Sequence, residues 1–181
     1  MNSKKFPKTV CAFLVLCLLC SVALSGCSSP RKQLANSMEA YTQMLETALP
    51  EDLRLTIYYM STDILTLYPY GIDDLVKFAG SHSQTIVVEA EELAAHKELL
   101  KKMDASILQP AQRDSYMNAR LYYVFEVGDS EKLLEVVVSP EQLGKIYGDV
   151  VVNGIAVEDD PVFYELIMPF LTEDAHEKLG I

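Results

Sequence analysis

Three histidines, His82, His96 and His176, are the side chains of this 181-residue chain whose ordinary pKa suits general acid–base chemistry near neutral pH. His82 lies in a Gly-Ser segment, where a surface position is the commoner outcome. His96 falls on the apolar face of a predicted helix, as a satisfied core histidine would, and His176 lies in a polar tail. The chain contains no HExxH, GxSxG, SxxK, P-loop or GxGxxG pattern, so the sequence assigns no catalytic residue.

Four acidic clusters could offer carboxylate oxygens to Ca²⁺, which takes six to eight hard ligands. They are Asp73-Asp74, Glu89-Glu91-Glu92, Glu158-Asp159-Asp160 and Glu173-Asp174. None has the EF-hand pattern, and negative charge at predicted helix N-termini explains most of them without a metal. The sequence therefore predicts no metal site and no cofactor, and it leaves calcium binding by these clusters open.

The chain has ten tyrosines and no tryptophan. An exposed tyrosine patch would suit contact with a peptide or a glycan. However, the pairs Tyr58-Tyr59 and Tyr122-Tyr123 lie on predicted strands, where adjacent side chains face opposite sides of the sheet. We therefore expect one tyrosine of each pair in the core.

The four residues Leu24-Ser25-Gly26-Cys27 follow a basic start with Lys4, Lys5 and Lys8 and an apolar stretch over residues 10–24. This arrangement resembles the lipobox of bacterial membrane lipoproteins, in which a dedicated peptidase cuts before a cysteine whose thiol has been diacylglycerylated. The resemblance implies that residues 1–26 are a signal peptide and that Cys27 is the lipidation site and first mature residue. It covers this segment alone and identifies no family for residues 28–181.

Two other interpretations of the N-terminal segment are weaker. As a helix, residues 10–24 span about 22 Å, which is short of the roughly 30 Å hydrocarbon thickness that a permanent transmembrane helix must cross. Ordinary signal cleavage could use the small residues Ala23 and Ser25, but it gives no reason for a cysteine at position 27.

Lipidation of Cys27 would place the protein on the extracytoplasmic face of the cell membrane, because two or more acyl chains hold a protein stably there. Ser28, in the second mature position, is similar to the residue that permits transfer to the outer membrane in diderm bacteria. We therefore expect the protein to contact the membrane through the lipid on Cys27. The sequence leaves open whether it also binds a protein or peptide partner.

The charge of the chain excludes one class of partner. Three of its 15 basic residues and none of its 26 acidic residues lie in residues 1–26, so the formal charge changes from −11 to −14 when that segment is removed. Nucleic acid is an unsuitable partner for such a surface, since its recognition depends on Lys and Arg neutralising phosphates. An anionic membrane face would likewise repel the domain.

Cysteine usage agrees with this location. Cys11, Cys17 and Cys20 lie in the predicted signal peptide and Cys27 carries the lipid, so the mature domain has no thiol and no disulfide. This excludes a cysteine nucleophile, a cysteine-based zinc site and an iron–sulfur cluster. Residues 27–30 would be the lipidated cysteine and a short tether, and residues 31–181 are long enough for one globular domain.

Hydrophobic periodicity predicts the elements that position these residues. An amphipathic helix is expected from Arg31 to Leu49, and Ser29 and Pro30 suit its N-cap and first position. Its apolar stripe is expected to dock on its own domain or, alternatively, on a coiled-coil partner. Asn153-Gly154 indicates a type I′ hairpin turn. Strand patterns cover residues 53–60, 84–89, 116–127, 132–139, 147–152 and 155–158. A further apolar run at 64–68, after a turn at 61–63, is also expected as a strand. Helices are expected at 72–79, 91–103 and from Pro161.

These patterns predict an α+β fold: an N-terminal helix, about six mostly antiparallel strands, and two or three further helices covering one face. For function, they favour a non-catalytic envelope lipoprotein that binds a partner or ligand. The alternative is an envelope hydrolase that uses Asp and Glu carboxylates. An exposed apolar or tyrosine-rich patch would favour binding, whereas two carboxylates facing each other across a deep cleft would favour hydrolysis.

Overall fold

The computed structural model describes residues 29–111, 118–128, 131–139 and 149–181. Within them it has a six-stranded antiparallel sheet and seven α-helices, which confirms the predicted α+β class. The predicted signal peptide and Cys27 lie outside the described residues. In the part of the chain that is described, no helix is both long and apolar enough to cross a bilayer.

Helices and strands are interspersed along the chain. The helices are α1 (Pro30–Ser37), α2 (Glu39–Glu46), α3 (Ile72–Lys77), α4 (Ala90–Ala95), α5 (Lys97–Leu100), α6 (Val162–Glu165) and α7 (Glu173–Leu179), with a 3₁₀ turn at Met168–Phe170. The strands are β1 (Leu53–Tyr59), β2 (Gln84–Glu89), β3 (Leu121–Val127), β4 (Glu131–Ser139), β5 (Asp149–Val152) and β6 (Ile155–Val157). They lie in the order β2-β1-β3-β4-β5-β6.

One face of the sheet carries the main core. Alternate residues of β1 and β3, such as Leu55, Ile57 and Phe125, are fully buried there. The helices add apolar residues on the same side, including Leu93 and Phe163. The period-two pattern of the sequence therefore identifies the inward face of the central strands correctly.

The N-terminal helix is divided. Ser29 caps α1 by accepting a hydrogen bond from the Lys32 amide at 3.3 Å, and Pro30 occupies a first-turn position, as the sequence predicts. At Met38 the backbone leaves helical geometry, and α2 continues to Glu46. The predicted apolar stripe docks on its own domain. Its buried members are Leu34, Met38, Tyr41, Met44 and Leu45.

The helix predicted over residues 91–103 is also shorter than expected. The chain forms α4 and α5, which are separated by His96 with φ −110° and ψ 17°. The His96 ring packs edge-on against Phe170 at 5.1 Å between centroids, a contact with a residue far along the chain. Leu93 and Leu100 on either side remain buried, so the inward face is as predicted although the helix is not continuous.

The apolar run at residues 64–68 was expected as a strand, and this prediction is wrong. Both edges of β1 are already paired, one with β2 through residues such as Ile57 and Ile86, and the other with β3. A hairpin partner that returned directly along β1 would have no free row of backbone groups to bond. Residues 61–71 therefore form a connection that leaves the sheet.

One described helix lies on the second face of the sheet, which differs from the expectation that the helices cover one face. Leu75 of α3 packs there against Met60, Tyr122 and Val137 in a smaller apolar cluster. This cluster explains why the alternate residues of the central strands are also largely apolar, since both faces of those strands are covered.

The hairpin between β5 and β6 is confirmed. Asn153 and Gly154 have φ values of 46° and 78°, as a type I′ turn requires. The Asn153 side chain accepts a hydrogen bond from the Glu135 amide at 2.7 Å and donates one to the Ser37 carbonyl oxygen at 2.5 Å. The turn residue thus joins the sheet to the end of α1.

The strand register defines what we call the upper end of the sheet. One row of paired residues crosses it from edge to edge: Gln84, Tyr59, Leu121, Val138, Val150 and Val157. Beyond this row lie the connection that follows β1, the residues that precede β3, and the segment that follows β6. The hairpin turn at Asn153 lies toward the opposite, lower end.

Candidate functional site

The three histidines are not brought together with a nucleophile. His82 is exposed and packs beside Phe78, with 5.8 Å between ring centroids. His96 is half-buried against Phe170, and His176 is half-buried on α7. In the described segments, no hydrogen bond connects a histidine side chain to a serine, a threonine or a carboxylate.

The acidic clusters lie at helix starts, as their sequence positions predict. Asp74 accepts a hydrogen bond from the Gly71 amide at 3.0 Å at the start of α3, and Asp160 accepts one from the Val162 amide at 2.9 Å at the start of α6. Glu91 and Glu173 lie in the first turns of α4 and α7. Among the described residues, no group of three or more His, Cys, Asp or Glu side chains could hold a metal ion.

One acidic cluster lines a cleft. Glu158, Asp159 and Asp160 border a cavity of about 180 Å³ together with the loop around Leu108. Asp160 caps α6, and both other carboxylates also interact within the chain. Burial, and next the Asp159 carboxylate, raises the pKa of Tyr164 to about 12. These acids are therefore engaged in structural contacts with the residues around them.

A second cavity of about 180 Å³ lies at the upper end, between the ends of β1 and β2 and helix α7. Inside it, the Tyr59 hydroxyl donates a 2.6 Å hydrogen bond to Gln84 Oε1. Lys178 reaches it as well, and its ammonium group donates to Asp174 Oδ2 at 2.7 Å, which raises the pKa of Lys178. The lining also includes Ile64 and His82, so the cavity is mixed in polarity.

Beside this cavity lies Arg120, which is only 1% exposed. Its Nη2 donates a 2.9 Å hydrogen bond to the Ile64 carbonyl oxygen, and its Nη1 lies 2.8 Å from Met60 Sδ. No ion pair links Arg120 to a carboxylate within the described residues, and its Nε atom has no hydrogen-bond partner there. Burial lowers the pKa of Arg120, but a guanidinium titrates so far above neutrality that the charge persists.

The connection that Arg120 holds exposes a run of apolar side chains, residues 64–68, which we call the apolar loop. Leu65 is 92% exposed, Leu67 97% and Tyr68 78%. The loop is anchored at both ends. On one side the Thr62 amide donates to the Lys178 carbonyl oxygen at 2.9 Å, and on the other the Tyr70 amide donates to Asn118 Oδ1 at 3.0 Å.

Sequence reasoning missed this site for two reasons. The apolar loop has the composition of a strand, and only the occupied edges of β1 exclude it from the sheet. In the sequence, Arg120 alternates with Ala119 and Leu121 in the strand predicted over 116–127 and looks like an ordinary outward-facing position, whereas the structure places it just before β3. The available signal was Pro69, which follows the run and disfavours a central strand.

The positions of the paired tyrosines agree only in part with the expectation that one tyrosine of each pair lies in the core. Tyr59 and Tyr123 lie in the main core, as one member of each pair should. Tyr122 is buried as well, but on the second face, where its ring stacks on Tyr58 with 5.7 Å between centroids. Its hydroxyl donates to Glu135 at 2.8 Å, and burial followed by this carboxylate raises the pKa of Tyr122. Among the tyrosines of the described loops, Tyr68 is strongly exposed.

Comparison of the chain with protein-family models, with curated proteins and with solved structures finds no match.

Proposed function

We propose that this chain is a bacterial membrane lipoprotein that acts by contact and not by catalysis. Residues 1–26 are the signal peptide, Cys27 is the acylated residue, residues 28–30 are the remainder of the tether, and residues 31–181 form the extracytoplasmic domain. The lipobox Leu24-Ser25-Gly26-Cys27 supports the anchoring. In a diderm cell, Ser28 would permit an outer-membrane location.

The apolar loop is the observation that carries the proposal of contact. Leu65 and Leu67 are almost completely exposed, and neighbouring apolar exposure of this kind marks surfaces that bind a partner or a membrane. The loop is also held in place, because Arg120 bonds its first residue and Lys178 bonds the segment before it. A fixed apolar surface loses less conformational entropy on binding than a free chain would.

The competing function is an envelope hydrolase based on Asp and Glu. It would need two carboxylates that can act on one substrate, and Glu158 and Asp159 in the cleft next to α6 are the residues it would use. Their contacts within the domain, together with the capping role of Asp160, favour a structural role for this cluster.

The test is a screen of the full-length, membrane-extracted protein against ester, peptide, glycan and phosphate substrates. We expect no turnover. In parallel, the variants His82→Ala, His96→Ala, His176→Ala and Asp159→Asn are assayed. Turnover that one of these substitutions removes, while circular dichroism and the melting temperature stay unchanged, would overturn the proposal of a non-catalytic protein.

Contact is tested directly with a photo-cross-linking residue at position 67 in cells that display the full chain. The matched control carries the same residue at Glu51, which is exposed and lies just before β1, at the lower end of the sheet. We expect cross-links to lipid or protein from position 67 and none from position 51. Equal yields at both positions would contradict a role for the apolar loop.

A further inference from the structure

The position of the apolar loop relative to the lipid tether identifies what it contacts. The loop leaves the sheet after Tyr59, which belongs to the row of residues at the upper end. Val157, the last residue of β6, belongs to the same row at the far edge. Segments that follow β1 and β6 therefore emerge from the same end of the sheet. Four strand spacings separate them, or roughly 19 Å.

Helix α1 starts at that same end. The Glu158 amide, just after β6, donates to the Gln109 carbonyl oxygen at 2.8 Å. Three residues before Gln109, the Ser106 carbonyl oxygen accepts a 2.9 Å hydrogen bond from Arg31, in the first turn of α1. The other end of α1, Ser37, bonds to the turn residue Asn153 toward the lower end. Helix α1 thus runs from the upper end of the sheet downward, and its N-terminus points toward the tether.

The tether is short enough to keep this end close to the bilayer. Only residues 28 and 29 separate Cys27 from α1, and the three extended steps from Cys27 to Pro30 reach about 10 Å. From Cys27 the chain must enter the domain at the upper end, where the apolar loop also projects. A membrane that holds the acylated Cys27 therefore faces the apolar loop.

The side chains of the loop suit a membrane interface. From Ile64 to Gly71 the sequence has no charged residue, so insertion would desolvate no side-chain charge. Leu65 and Leu67 supply apolar area, and Tyr68 has the apolar ring and polar hydroxyl typical of residues at the headgroup level. The strongly acidic domain gives no electrostatic attraction to anionic lipid, so apolar burial is the driving force.

We propose that the apolar loop inserts into the interface of the bilayer that carries the lipid anchor, as a second, non-covalent membrane contact that fixes the orientation of the domain. This inference rests on the proposed function, since it names the bilayer as the partner of the contact surface. Arg120, by bonding the Ile64 carbonyl oxygen, positions the loop for insertion.

The experiment uses the full-length acylated protein, with lipid on Cys27 verified by mass spectrometry, reconstituted into phosphatidylcholine vesicles. Because the predicted mature chain has no other free thiol, Leu67→Cys provides a single labelling site for an environment-sensitive fluorophore. The control is Glu51→Cys at the lower end. A nitroxide on the lipid acyl chains reports depth by quenching. We expect quenching of the label at position 67 that exceeds quenching at position 51 by roughly fivefold or more, since the quencher acts only near the acyl chains.

A second pair of variants tests the loop without a label there. A fluorophore on Tyr70→Cys is quenched less when Leu65→Ser and Leu67→Ser are added, whereas Val87→Ser, which alters an exposed apolar residue in the middle of β2, changes nothing. Each variant is checked by its melting temperature. Equal quenching at positions 67 and 51 would overturn the membrane inference.

The outcomes separate this inference from the proposed function. If position 67 is not quenched but its photo-cross-linker captures a protein that the control at position 51 does not, the membrane inference fails and the contact function stands. If position 67 is neither quenched nor cross-linked, both fail. If turnover is found in the substrate screen, the contact function fails irrespective of quenching.

Discussion

The Arg120 guanidinium donates a 2.9 Å hydrogen bond to the Ile64 carbonyl oxygen, so a buried positive charge holds the base of the exposed apolar loop. Among the described residues this charge has no acidic partner, and the Ile64 carbonyl oxygen and the Met60 thioether repay only part of its lost hydration, so its burial is expensive. Such an arrangement is consistent with a positioning role, in which stability is given up to keep the loop in one conformation.

Replacement of Arg120 by methionine separates loop positioning from stability. Arg120→Met keeps an apolar stem of comparable length and removes the buried charge, so the free energy of unfolding should change by less than about 1.5 kcal/mol. The loop, however, loses its hydrogen bond to Ile64. We expect limited chymotrypsin digestion after Leu65 or Leu67 to become faster, as followed by mass spectrometry.

Arg120→Ala is the comparison variant. It also removes the buried aliphatic stem of a side chain that is 1% exposed, and it should cost about 2 to 5 kcal/mol, as for other large-to-small substitutions in a core. A digestion rate of Arg120→Met equal to that of the wild type would show that the guanidinium does not hold the loop.

The hairpin turn gives a second prediction. Gly154 has φ 78°, a conformation that a β-branched residue adopts only with strain. Gly154→Val should therefore lower the free energy of unfolding by about 1 to 3 kcal/mol, measured from urea denaturation. Gly71→Ser is the matched control, because Gly71 has φ −94° and serine is a favourable helix N-cap. An unchanged denaturation midpoint for Gly154→Val would argue against this turn geometry.

Buried tyrosines should set the alkaline limit of stability. The Tyr41 and Tyr123 hydroxyls donate to the carbonyl oxygens of Leu100 and Phe163 at 3.0 and 3.1 Å, and burial raises the pKa of both phenols. In the unfolded chain a tyrosine ionises near pH 10, so above that pH the unfolded state binds fewer protons than the folded state. Stability is then complete below about pH 10 and falls as the pH rises further, by about 1.4 kcal/mol per pH unit for each such tyrosine.

Urea denaturation at several pH values between 8 and 11.5 measures this slope. Tyr41→Phe should make the decline shallower by the contribution of one tyrosine. Tyr68→Phe, which removes a strongly exposed hydroxyl, is the control and should leave the slope unchanged. A slope that is the same in Tyr41→Phe and in the wild type would mean that Tyr41 ionises alike in both states.

The lipobox predicts that the mature protein begins with a lipid-modified Cys27. Cys27→Ser should abolish both the lipid attachment and the processing by the lipoprotein peptidase, because the thiol is the acceptor atom. Mass spectrometry of the N-terminus and fractionation of membranes measure the two effects. Ser28→Ala, which keeps the thiol, is the control. An unmodified mature N-terminus at Gly26 or earlier in the wild-type protein would contradict the lipobox.

Local sequence determined the elements whose geometry depends on neighbouring residues alone. Asn153 and Gly154 tolerate positive φ, so they specify a two-residue turn wherever two strands flank them. Ser29 and Pro30 specify the start of α1 by capping and by a preset φ. The β-branched run Ile86-Val87-Val88 between polar residues predicted β2 with the bounds Gln84–Glu89. The period of the central strands identified the face that lies in the core.

Other features depend on which distant segment of the chain occupies a given strand edge or packing site. Only the tertiary structure decided these. Residues 64–68 have the composition of a strand but form an exposed loop, because β2 and β3 already bond both edges of β1. Arg120 is buried and bonds the Ile64 carbonyl oxygen because the apolar loop passes over it. The helix expected through His96 is interrupted where the His96 ring packs on Phe170. Any segment of the chain could in principle pair with a strand edge or pack on an apolar face. Which segment does so therefore cannot be predicted from the residues adjacent in sequence.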